Sequence, residues 1–491
     1  MTSTMPYQVP YEIAGVTETL RGDGFEAYLV GGCVRDLILG RKPKDWDITT
    51  NAKPDDIQRL FEETFYTNDF GTVGVVLETK DESLKVVEVT PYRTESAYGD
   101  KRRPDSVTFG SSIEEDLARR DFTINALAYD DSKGHLIDFY KGQNDLRNRV
   151  LRTVGNPDER FEEDALRLMR ALRFVAELDF ALDDETAAAI QRKASNLAHI
   201  SKERIRDELS RILKSKQPMT ALALAARLGL LTHIAPDIAR GIGVEQNQAH
   251  KYDVFEHLIR TMQHAADKEW DFDIRLAGLL HDVAKPETRR WSDEKKEWTF
   301  HGHEVVGARI AKKILKDLRF SHETTERVVK LVRWHMFFSD PDQITLSAVR
   351  RMIRNVGEEN IWDLLNLRIC DRVGTGRPKE QPFRFRKYKA MVEQALHDPI
   401  SVTMLKTDGN KLIKLFRVQP GPRIGWVLNA LLEEVLDDPK KNTAEYLDRK
   451  TTELLALSDE ELKKLGTAGK ERREKLEEDE MQKILKKYYV S

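Results

Sequence analysis

The hydrophobic pattern of this 491-residue chain changes once, near Leu151, and that change limits the folds it can adopt. Before this point, short apolar and β-branched runs at residues 72–78 and 84–92 alternate with helical segments such as residues 54–65. This alternation predicts a small unit built on a mixed β-sheet. After it, apolar residues recur with the 3.6-residue period of amphipathic helices, as in residues 160–178. We therefore predict an α+β chain, with a small sheet-containing head followed by helical regions only.

Composition excludes several classes of protein. Mean hydropathy is -0.55, and the most apolar stretch, residues 221–231, is short and contains Arg227. A membrane-spanning helix needs about 20 apolar residues, so we predict no membrane partner. The two cysteines, Cys33 and Cys370, exclude a disulfide scaffold and favour a reducing, cytoplasmic location. A formal net charge of -3 argues mildly against a nucleic-acid partner, unless basic residues are concentrated in one groove.

Residues 29–50, LVGGCVRDLILGRKPKDWDITT, combine groups that suit phosphate and metal binding. A Gly-Gly pair ending at Gly32 lets backbone approach a phosphate, and Arg35 supplies a cation nearby. Asp45 and Asp47 share one face of a predicted strand, because strand side chains repeat every two residues. Such a pair can bind Mg²⁺ through oxygen atoms. A solvated edge strand is the ordinary alternative for the two aspartates alone, but the combination with GG-x-V-R-D is more specific.

This segment resembles the signature of the class II tRNA nucleotidyltransferase and bacterial poly(A) polymerase family. Four later segments resemble further motifs of that family and follow in family order: residues 119–130 (RRDFTINALAYD), 137–142 (IDFYKG), 159–174 (ERFEEDALRLMRALRF) and 200–213 (ISKERIRDELSRIL). Five ordered motifs within about the first 215 residues make coincidence an unsatisfactory explanation. The remaining alternative is a degenerate, inactive relative, although no motif residue is missing.

The resemblance implies a reaction and a set of roles. An RNA 3′-hydroxyl would attack the α-phosphate of CTP or ATP and release pyrophosphate, with two Mg²⁺ ions held by Asp45 and Asp47. Glu88 lies within a predicted strand and is the candidate third carboxylate, with an ordinary strand glutamate as an equal alternative. The resemblance assigns the triphosphate and ribose contacts to Gly32, Arg35 and Arg120, with Arg119 as a second choice.

The resemblance also identifies residues 159–174 as the base-selecting helix. Its predicted polar face carries four ionisable side chains: Asp164, Arg167, Arg170 and Arg173. Cytosine and adenine both present an amine beside an unprotonated ring nitrogen, which an Asp acceptor next to an Arg donor matches. Uracil and guanine present the opposite order and would leave a buried charge unpaired. We expect Arg170 and Arg173 to extend toward phosphates; a basic, solvated helix face is the alternative.

Residues 93–109, RTESAYGDKRRPDSVTF, resemble the flexible loop of family members that add the complete CCA sequence. Members that add only CC typically lack or shorten this loop, so its presence favours complete CCA addition. A poly(A) polymerase and a partial, CC- or A-adding enzyme are the close alternatives.

Histidine usage indicates a second site. Nine of the 12 histidines lie between His233 and His335, and the pair His281-Asp282 sits in an apolar helical segment. Imidazole and carboxylate ligands suit Mn, Ni, Fe or Zn. The ordered set resembles the HD phosphohydrolase superfamily, which implies metal ligands at His257, His281, Asp282 and Asp371, with additional histidines at His303 and His335. By that resemblance the region is a phosphatase, a 2′,3′-cyclic phosphodiesterase or purely structural.

Together these observations predict four regions: a nucleotidyltransferase head (1–150), a helical neck that selects the base and binds RNA (151–240), an HD phosphohydrolase-like domain (241–375) and a helical tRNA-binding tail with a charged end (376–491). The predicted partners are tRNA, CTP and ATP, without DNA, and the oligomeric state is left open. The rival function is an HD phosphohydrolase whose head only binds RNA. The net charge of -3 no longer opposes an RNA partner, because basic residues cluster in separate segments such as 101–104 and 383–389.

Overall fold

The computed structural model describes residues 7–67, 71–95, 107–109, 112–247, 250–337, 344–398 and 401–465. The chain forms two compact units, Met1–Ile234 and Ala235–Ser491. Most of the loop compared with the flexible loop of CCA-adding members, and the charged end of the chain, lie outside the described residues. The division into four regions stays a prediction.

The N-terminal unit contains a seven-stranded sheet in the order β3-β4-β5-β2-β1-β8-β9. Its strands are β1 (Ala27–Val30), β2 (Trp46–Thr50), β3 (Thr64–Tyr66), β4 (Val73–Val76), β5 (Val86–Pro91), β8 (Ala128–Asp130) and β9 (His135–Ile137); two short pairs are β6 (Arg93–Glu95) with β7 (Val107–Phe109), and β10 (Val150–Leu151) with β11 (Ala181–Leu182). Central strand β2 pairs in parallel with β5 and antiparallel with β1, which confirms the predicted mixed sheet.

The sheet and the helices that follow it pack around apolar side chains such as Ile48, Val87 and Val89, all fully buried. The helices of this unit are α1 (Tyr11–Gly22), α2 (Gly32–Ile38), α3 (Pro54–Leu60), α4 (Ile113–Ala118), α5 (Gly142–Asn148), α6 (Pro157–Glu163), α7 (Leu166–Leu178), α8 (Asp184–Lys193), α9 (Lys202–Lys214), α10 (Pro218–Arg227) and α11 (Leu231–Ile234), with 3-10 turns at Glu82–Leu84, Thr123–Asn125 and Ala194–His199.

Two predicted helical segments are shorter than expected. The prediction of one helix over residues 54–65 is wrong, since α3 ends at Leu60, Phe61 is extended, and Thr64–Tyr66 pairs with β4 as an edge strand. The β-branched and aromatic side chains of Thr64–Tyr66 explain why this segment forms a strand and not a helix. Residues 160–178 likewise form two helices, because the backbone is extended at Asp164 (φ -140°, ψ 105°).

Helix α7 packs against α9 and α10. The predicted apolar face of this helix is confirmed by four residues with no exposed surface: Ala165, Leu168, Met169 and Leu172. A helix with one apolar stripe is stabilised mainly by burying that stripe against its neighbours. This packing fixes the position of the ionisable residues on α7 relative to α9 and α10.

Within its described residues, the C-terminal unit is helical apart from one hairpin, β12 (Arg290–Ser292) with β13 (Glu297–Thr299). Its helices are α12 (Pro236–Ala239), α13 (Val254–Asp267), α14 (Phe272–Leu280), α15 (Lys285–Thr288), α16 (His303–Asp317), α17 (His322–Trp334), α18 (Leu346–Val356), α19 (Ile361–Gly374), α20 (Phe383–Leu396), α21 (Gly409–Phe416), α22 (Pro422–Asp437) and α23 (Ala444–Leu455), with 3-10 turns at Glu358–Asn360, Val402–Met404 and Pro439–Lys441. Within the described ranges, no helix has both the length and the apolar character needed to cross a membrane.

Helices α13, α14, α17 and α19 pack on one another and form the centre of this unit. The approach of α19 to α13 depends on Gly374. A Cβ atom there would lie 2.1 Å from Thr261 Oγ1 and 3.1 Å from the Thr261 backbone nitrogen, so a larger residue would require Thr261 or the helix backbone to shift. The end of α19 at Gly374 therefore lies directly against α13 at Thr261.

Candidate active site and candidate metal centre

The first candidate site lies where β2 and β5 run side by side. Asp47 on β2 is directly opposite Glu88 on β5, and Asp45 precedes β2 with its side chain exposed. Burial raises the pKa of Asp47 to about 6, against the lowering influence of Arg120, and the neighbouring charges of Glu88 and Asp45 add to the increase. Burial and Asp45 also raise the pKa of Glu88. Three carboxylates that repel one another in this way can be stabilised together by a divalent cation.

The Gly-Gly turn that precedes α2 forms one wall of this site. Gly31 has a positive φ of 77°, and a Cβ atom there would lie 2.9 Å from Arg120 Nη1 and 3.8 Å from Asp47 Oδ2. Glycine is therefore required both for the backbone conformation and for the close approach of the Arg120 guanidinium. Gly32 is the first residue of α2, and Arg35 follows one turn later.

Asp116 is a residue that the sequence analysis missed. It is fully buried on α4 and accepts hydrogen bonds from Arg119 Nη2 at 2.7 Å and Arg120 Nη2 at 3.2 Å. Burial alone would raise the pKa of Asp116, but Arg120 and Arg119 outweigh it and hold this pKa below its usual value. The spacing of three and four residues between an acid and two arginines on a helix was the available signal.

A chain of polar contacts joins Arg35 to Arg170. Arg35 Nη1 donates to Asn125 Oδ1 at 3.0 Å, Asn125 Nδ2 donates to Asp121 Oδ1 at 3.3 Å, and Arg170 Nε donates to Asp121 Oδ2 at 2.6 Å. Although burial opposes it, Arg170 lowers the pKa of Asp121 to about 2. Both guanidinium groups also lie over the ring of Phe174, at 5.4 and 5.5 Å from its centroid. The structure thus brings together Arg35 and Arg170, two of the residues predicted to contact the nucleotide.

Asp164 and Arg167 have separate partners. Asp164 Oδ1 accepts a hydrogen bond from the backbone of Leu166 at 3.0 Å, and Oδ2 pairs with Arg204 Nη2 of α9 at 2.8 Å. Arg167 Nη2 donates to the carbonyl oxygen of Arg119 at 2.9 Å. Arg204, a second residue that the sequence analysis missed, therefore fixes Asp164 at the break between α6 and α7.

Arg173 does not lie on a solvated helix face, so the alternative of a basic, solvated face is wrong at this residue. Its side chain is 7% exposed, and its Nη1 atom lies 3.3 Å from Glu208 Oε1, which is also buried. A buried guanidinium needs such a carboxylate partner, because an unpaired buried charge costs several kcal/mol or more. The structure gives Arg173 a packing role between α7 and α9, and its contact with phosphate stays a prediction.

The second candidate site is a metal centre at the middle of the C-terminal unit. Its four predicted ligands are all buried, and their ligand atoms lie within 4.8 Å of one another: His257, His281, Asp282 and Asp371. They come from α13, from the turn after α14, and from α19, which pack on one another. Burial lowers the pKa of His281, but Asp282 and Asp371 outweigh burial and raise it to about 9. The donor set fits a transition metal, whose charge would replace that proton.

The two additional histidines complete the centre from the other side. His303 begins α16 and His335 follows α17, and both are buried beside Asp282. Lys285, which begins α15, places its Nζ atom 2.6 Å from Asp282 Oδ2. His250 is half-buried, with its Nε2 atom 3.3 Å from Lys285 Nζ.

A cavity of about 1040 Å³ opens onto this centre. Asp282, His303, His335 and Asp371 form part of its wall, together with several cationic side chains: Lys285, Arg368, Arg372, Arg377 and Arg384. Arg368 also binds Asp371 Oδ2 at 2.7 Å. A cavity that combines metal ligands with arginines suits a phosphorylated ligand, since guanidinium groups bind phosphate oxygens in pairs.

Three family models match successive parts of the chain. Residues 27–152 match the poly A polymerase head domain, residues 179–242 match a probable RNA and SrmB-binding site of polymerase A, and residues 254–372 match the HD domain. The fold and its two candidate sites therefore belong to a polymerase-type head and helical region joined to an HD domain.

Similarity to individual proteins is more specific. The chain is 34% identical over 440 residues to a CCA-adding enzyme of Lactiplantibacillus plantarum, covering 87% of this chain and 93% of that protein. It is 48% identical over 227 residues to a CCA-adding enzyme of Geobacillus sp. (strain WCH70), covering 46% of this chain and 55% of that relative. The structure of the Bacillus stearothermophilus CCA-adding enzyme in complex with CTP matches with a TM-score of 0.64 and 28% identity, covering 92% of this chain and 100% of that chain. The chain belongs to the family of CCA-adding enzymes.

Proposed function

We propose that this protein adds CCA to the 3′ end of tRNA with CTP and ATP and releases pyrophosphate. The observation that carries the proposal is the carboxylate set Asp45, Asp47 and Glu88, with Asp47 and Glu88 on adjacent strands and Asp45 directly before β2, in a head that matches the polymerase family. The CTP complex of the similar Bacillus stearothermophilus enzyme supports the choice of nucleotide. We keep the cytosol as the proposed compartment, because two cysteines in 491 residues suit a reducing environment.

Each group of the head has a proposed role in this reaction. Asp45, Asp47 and Glu88 would hold Mg²⁺, and the bound ion would supply Lewis-acid activation of the 3′-hydroxyl and charge neutralisation at the pyrophosphate. Arg120, kept in place by Asp116, and Arg35 bind triphosphate oxygens beside the Gly-Gly turn. Because Arg120 is already held against Gly31, little side-chain entropy is lost when the triphosphate binds.

Base selection is proposed for Asp164 and Arg167. Both lie at the start of α7, and Arg204 and the helix backbone hold the Asp164 carboxylate in a defined direction. A fixed acceptor beside a fixed donor recognises the edge shared by cytosine and adenine. Uracil and guanine would leave a desolvated charge without a partner, which costs about 1–3 kcal/mol per group.

A second activity, hydrolysis of a phosphate ester, is proposed for the HD centre. The observation that favours it is the contact between the buried ligand set and a cavity lined by arginines. With a transition metal bound, such a centre supplies an activated water molecule. Arg368 and its neighbours would bind the phosphate, and Lys285 would stabilise the charge of Asp282.

The direct test is nucleotide incorporation on an unmodified tRNA transcript that lacks CCA, read at single-nucleotide resolution with CTP, ATP and Mg²⁺. We expect the addition of C, C and A followed by a stop. A transcript that ends in CCA should accept no further nucleotide and serves as the control. A long A tail would identify a poly(A) polymerase instead, and a stop after CC would identify a partial enzyme.

Binding of Mg²⁺ to the head should weaken below pH 6. Burial raises the pKa of Asp47 to about 6, so below this pH the carboxyl is mostly protonated and must lose its proton before it can bind a cation. Apparent affinity should therefore fall up to about tenfold per pH unit below 6, with up to about one proton released per ion. Isothermal titration in buffers of different ionisation enthalpy measures both quantities.

The reference for that titration is the Asp47→Asn variant, which has no proton to release at this position. The comparison is made per bound ion, at Mg²⁺ concentrations at which Asp47→Asn still binds the ion, and the proton release at pH 5 that disappears in this variant is assigned to Asp47. Equal proton release at pH 5 and pH 8 in the wild type would contradict the raised pKa.

A further inference from the structure

We propose that Arg160 is a positioning residue for triphosphate binding: it fixes the C-terminal end of α4 and, through that end, the guanidinium group of Arg120. The proposal rests on the nucleotidyl transfer proposed above and deepens it, because it assigns a role to an arginine of α6 that lies outside the base-selecting pair. It also connects the base-selecting residues with the triphosphate contacts through one set of hydrogen bonds.

The C-terminal end of α4 is bound by two arginines from outside that helix. The last carbonyl groups of a helix have no partner within it and carry the negative end of the helix dipole. Arg160 Nη1 donates to the carbonyl oxygen of Ala118 at 3.2 Å, and Arg167 Nη2 donates to that of Arg119 at 2.9 Å. Both guanidinium groups thus satisfy carbonyl oxygens that α4 itself leaves unpaired, and their charge suits this end of the helix.

Glu163, the last residue of α6, holds both arginines in this position. Its Oε1 atom lies 2.8 Å from Arg160 Nη2, and its Oε2 atom accepts a hydrogen bond from Arg167 Nη1. The side chains of Glu163, Arg160 and Arg167 are 23%, 17% and 11% exposed. Charge-assisted pairs that are shielded in this way keep a defined geometry better than pairs at the surface.

The same end of α4 is followed directly by the arginines predicted to contact the nucleotide. Arg119 and Arg120 both donate to the fully buried Asp116 of α4. The guanidinium group of Arg120 stands against the Gly-Gly turn, where a Cβ atom on Gly31 would lie 2.9 Å from Nη1. Because Arg120 is the next residue in the chain, a shift of the Ala118 and Arg119 carbonyl groups would move Arg120 relative to this turn.

A direct contact between Arg160 and the triphosphate is the competing explanation. Arg160 is paired with Glu163, and its Nη1 atom is already engaged with a carbonyl oxygen. The two explanations differ in the effect of Glu163. If Arg160 acts by position, Glu163→Gln weakens triphosphate binding, because the Arg160 guanidinium loses its anchor. If Arg160 acts by charge, the same variant leaves binding unchanged or strengthens it, because a neutralising carboxylate is removed.

Inhibition by inorganic triphosphate, which carries neither base nor ribose, tests the proposal. The inhibition constant is measured in competition with CTP on tRNA lacking CCA, with the full-length protein and excess Mg²⁺, so that only binding at the transferase site is counted. We expect this constant to rise about tenfold in Arg160→Met and in Glu163→Gln. The rise should be smaller in Arg160→Lys, which retains one donor for the Ala118 carbonyl oxygen but lacks the planar fork of arginine.

Arg192→Met is the matched control, because Arg192 also pairs with a carboxylate of α6, Asp158, but is exposed on α8. It should keep the wild-type inhibition constant. Thermal unfolding shows whether each variant folds, and the inhibition constant does not depend on the folded fraction, so a merely structural role would leave it unchanged. An unchanged constant in Arg160→Met would overturn the proposal, and an unchanged or lower constant in Glu163→Gln would overturn it in favour of direct charge. Absence of inhibition in the wild type would instead contradict the triphosphate site of the transferase itself.

Discussion

Asp45→Ala is expected to lower the rate of CTP incorporation into tRNA lacking CCA by about three orders of magnitude. A metal ligand at the reacting phosphate contributes several kcal/mol of transition-state stabilisation, and each 1.4 kcal/mol corresponds to about tenfold in rate. Asp45 suits this test because its side chain is exposed, so the variant should fold normally. Single-turnover incorporation at saturating CTP isolates the chemical step from binding.

Two further variants make that result specific. Asp55→Ala removes an exposed carboxylate from α3 in the same unit and should leave the rate unchanged. His281→Ala removes a ligand of the HD centre and should also leave incorporation unchanged, although it should lose bound transition metal. If Asp45→Ala were fully active and His281→Ala inactive, the protein would be a phosphohydrolase whose head only binds RNA.

The sequence was sufficient to predict Asp45 and Asp47 because their relation is local. They are two residues apart, one directly before β2 and one within it, so they stay close together whatever the rest of the fold does. Glu88 could be no more than a candidate, since its position opposite Asp47 depends on the register between strands 40 residues apart. The same limit applies to Arg120, whose proximity to Gly31 depends on how α4 meets the sheet.

In the helical neck, the hydrophobic period predicts which face of a helix is apolar but not which charged side chains are buried. The apolar face of α7 was predicted correctly, because burial follows the 3.6-residue repeat. The same repeat assigned Arg173 to the polar face opposite the apolar one, yet α9 covers that position and supplies Glu208 as its partner. A helix that is packed on more than one side can bury a charged side chain if a neighbouring helix supplies a residue of opposite charge. The sequence of α7 alone does not show which residue that is.

The HD centre was predicted from motif order, and the structure brings all six of its predicted residues together. What sequence could not provide is the way in which Asp282 divides its two oxygens between the histidine pairs. That division depends on the rotation of one buried side chain and on the positions of four helix ends.

Asp164→Ala is expected to lower the preference for CTP over UTP by about 10- to 100-fold, since an unpaired buried group costs about 1–3 kcal/mol. Without the carboxylate, uracil no longer opposes a fixed acceptor, while cytosine loses a hydrogen bond, so the two nucleotides become more alike. The loss should appear as a change in the ratio of kcat/KM values, while the Mg²⁺ dependence stays the same because Asp45, Asp47 and Glu88 are intact. Steady-state kinetics with each of the four nucleotides measures the effect.

Asp158→Ala is the matched control for this variant. Asp158 lies on α6, also pairs with an arginine, Arg192, and is partly exposed, so its loss should leave nucleotide preference unchanged. A weaker helix α6 would change both variants alike, whereas loss of base recognition changes Asp164→Ala alone. If Asp164→Ala kept the wild-type ratio of CTP to UTP, recognition of the base edge by this carboxylate would be wrong, and Asp164 would serve only to join Arg204 to the start of α7.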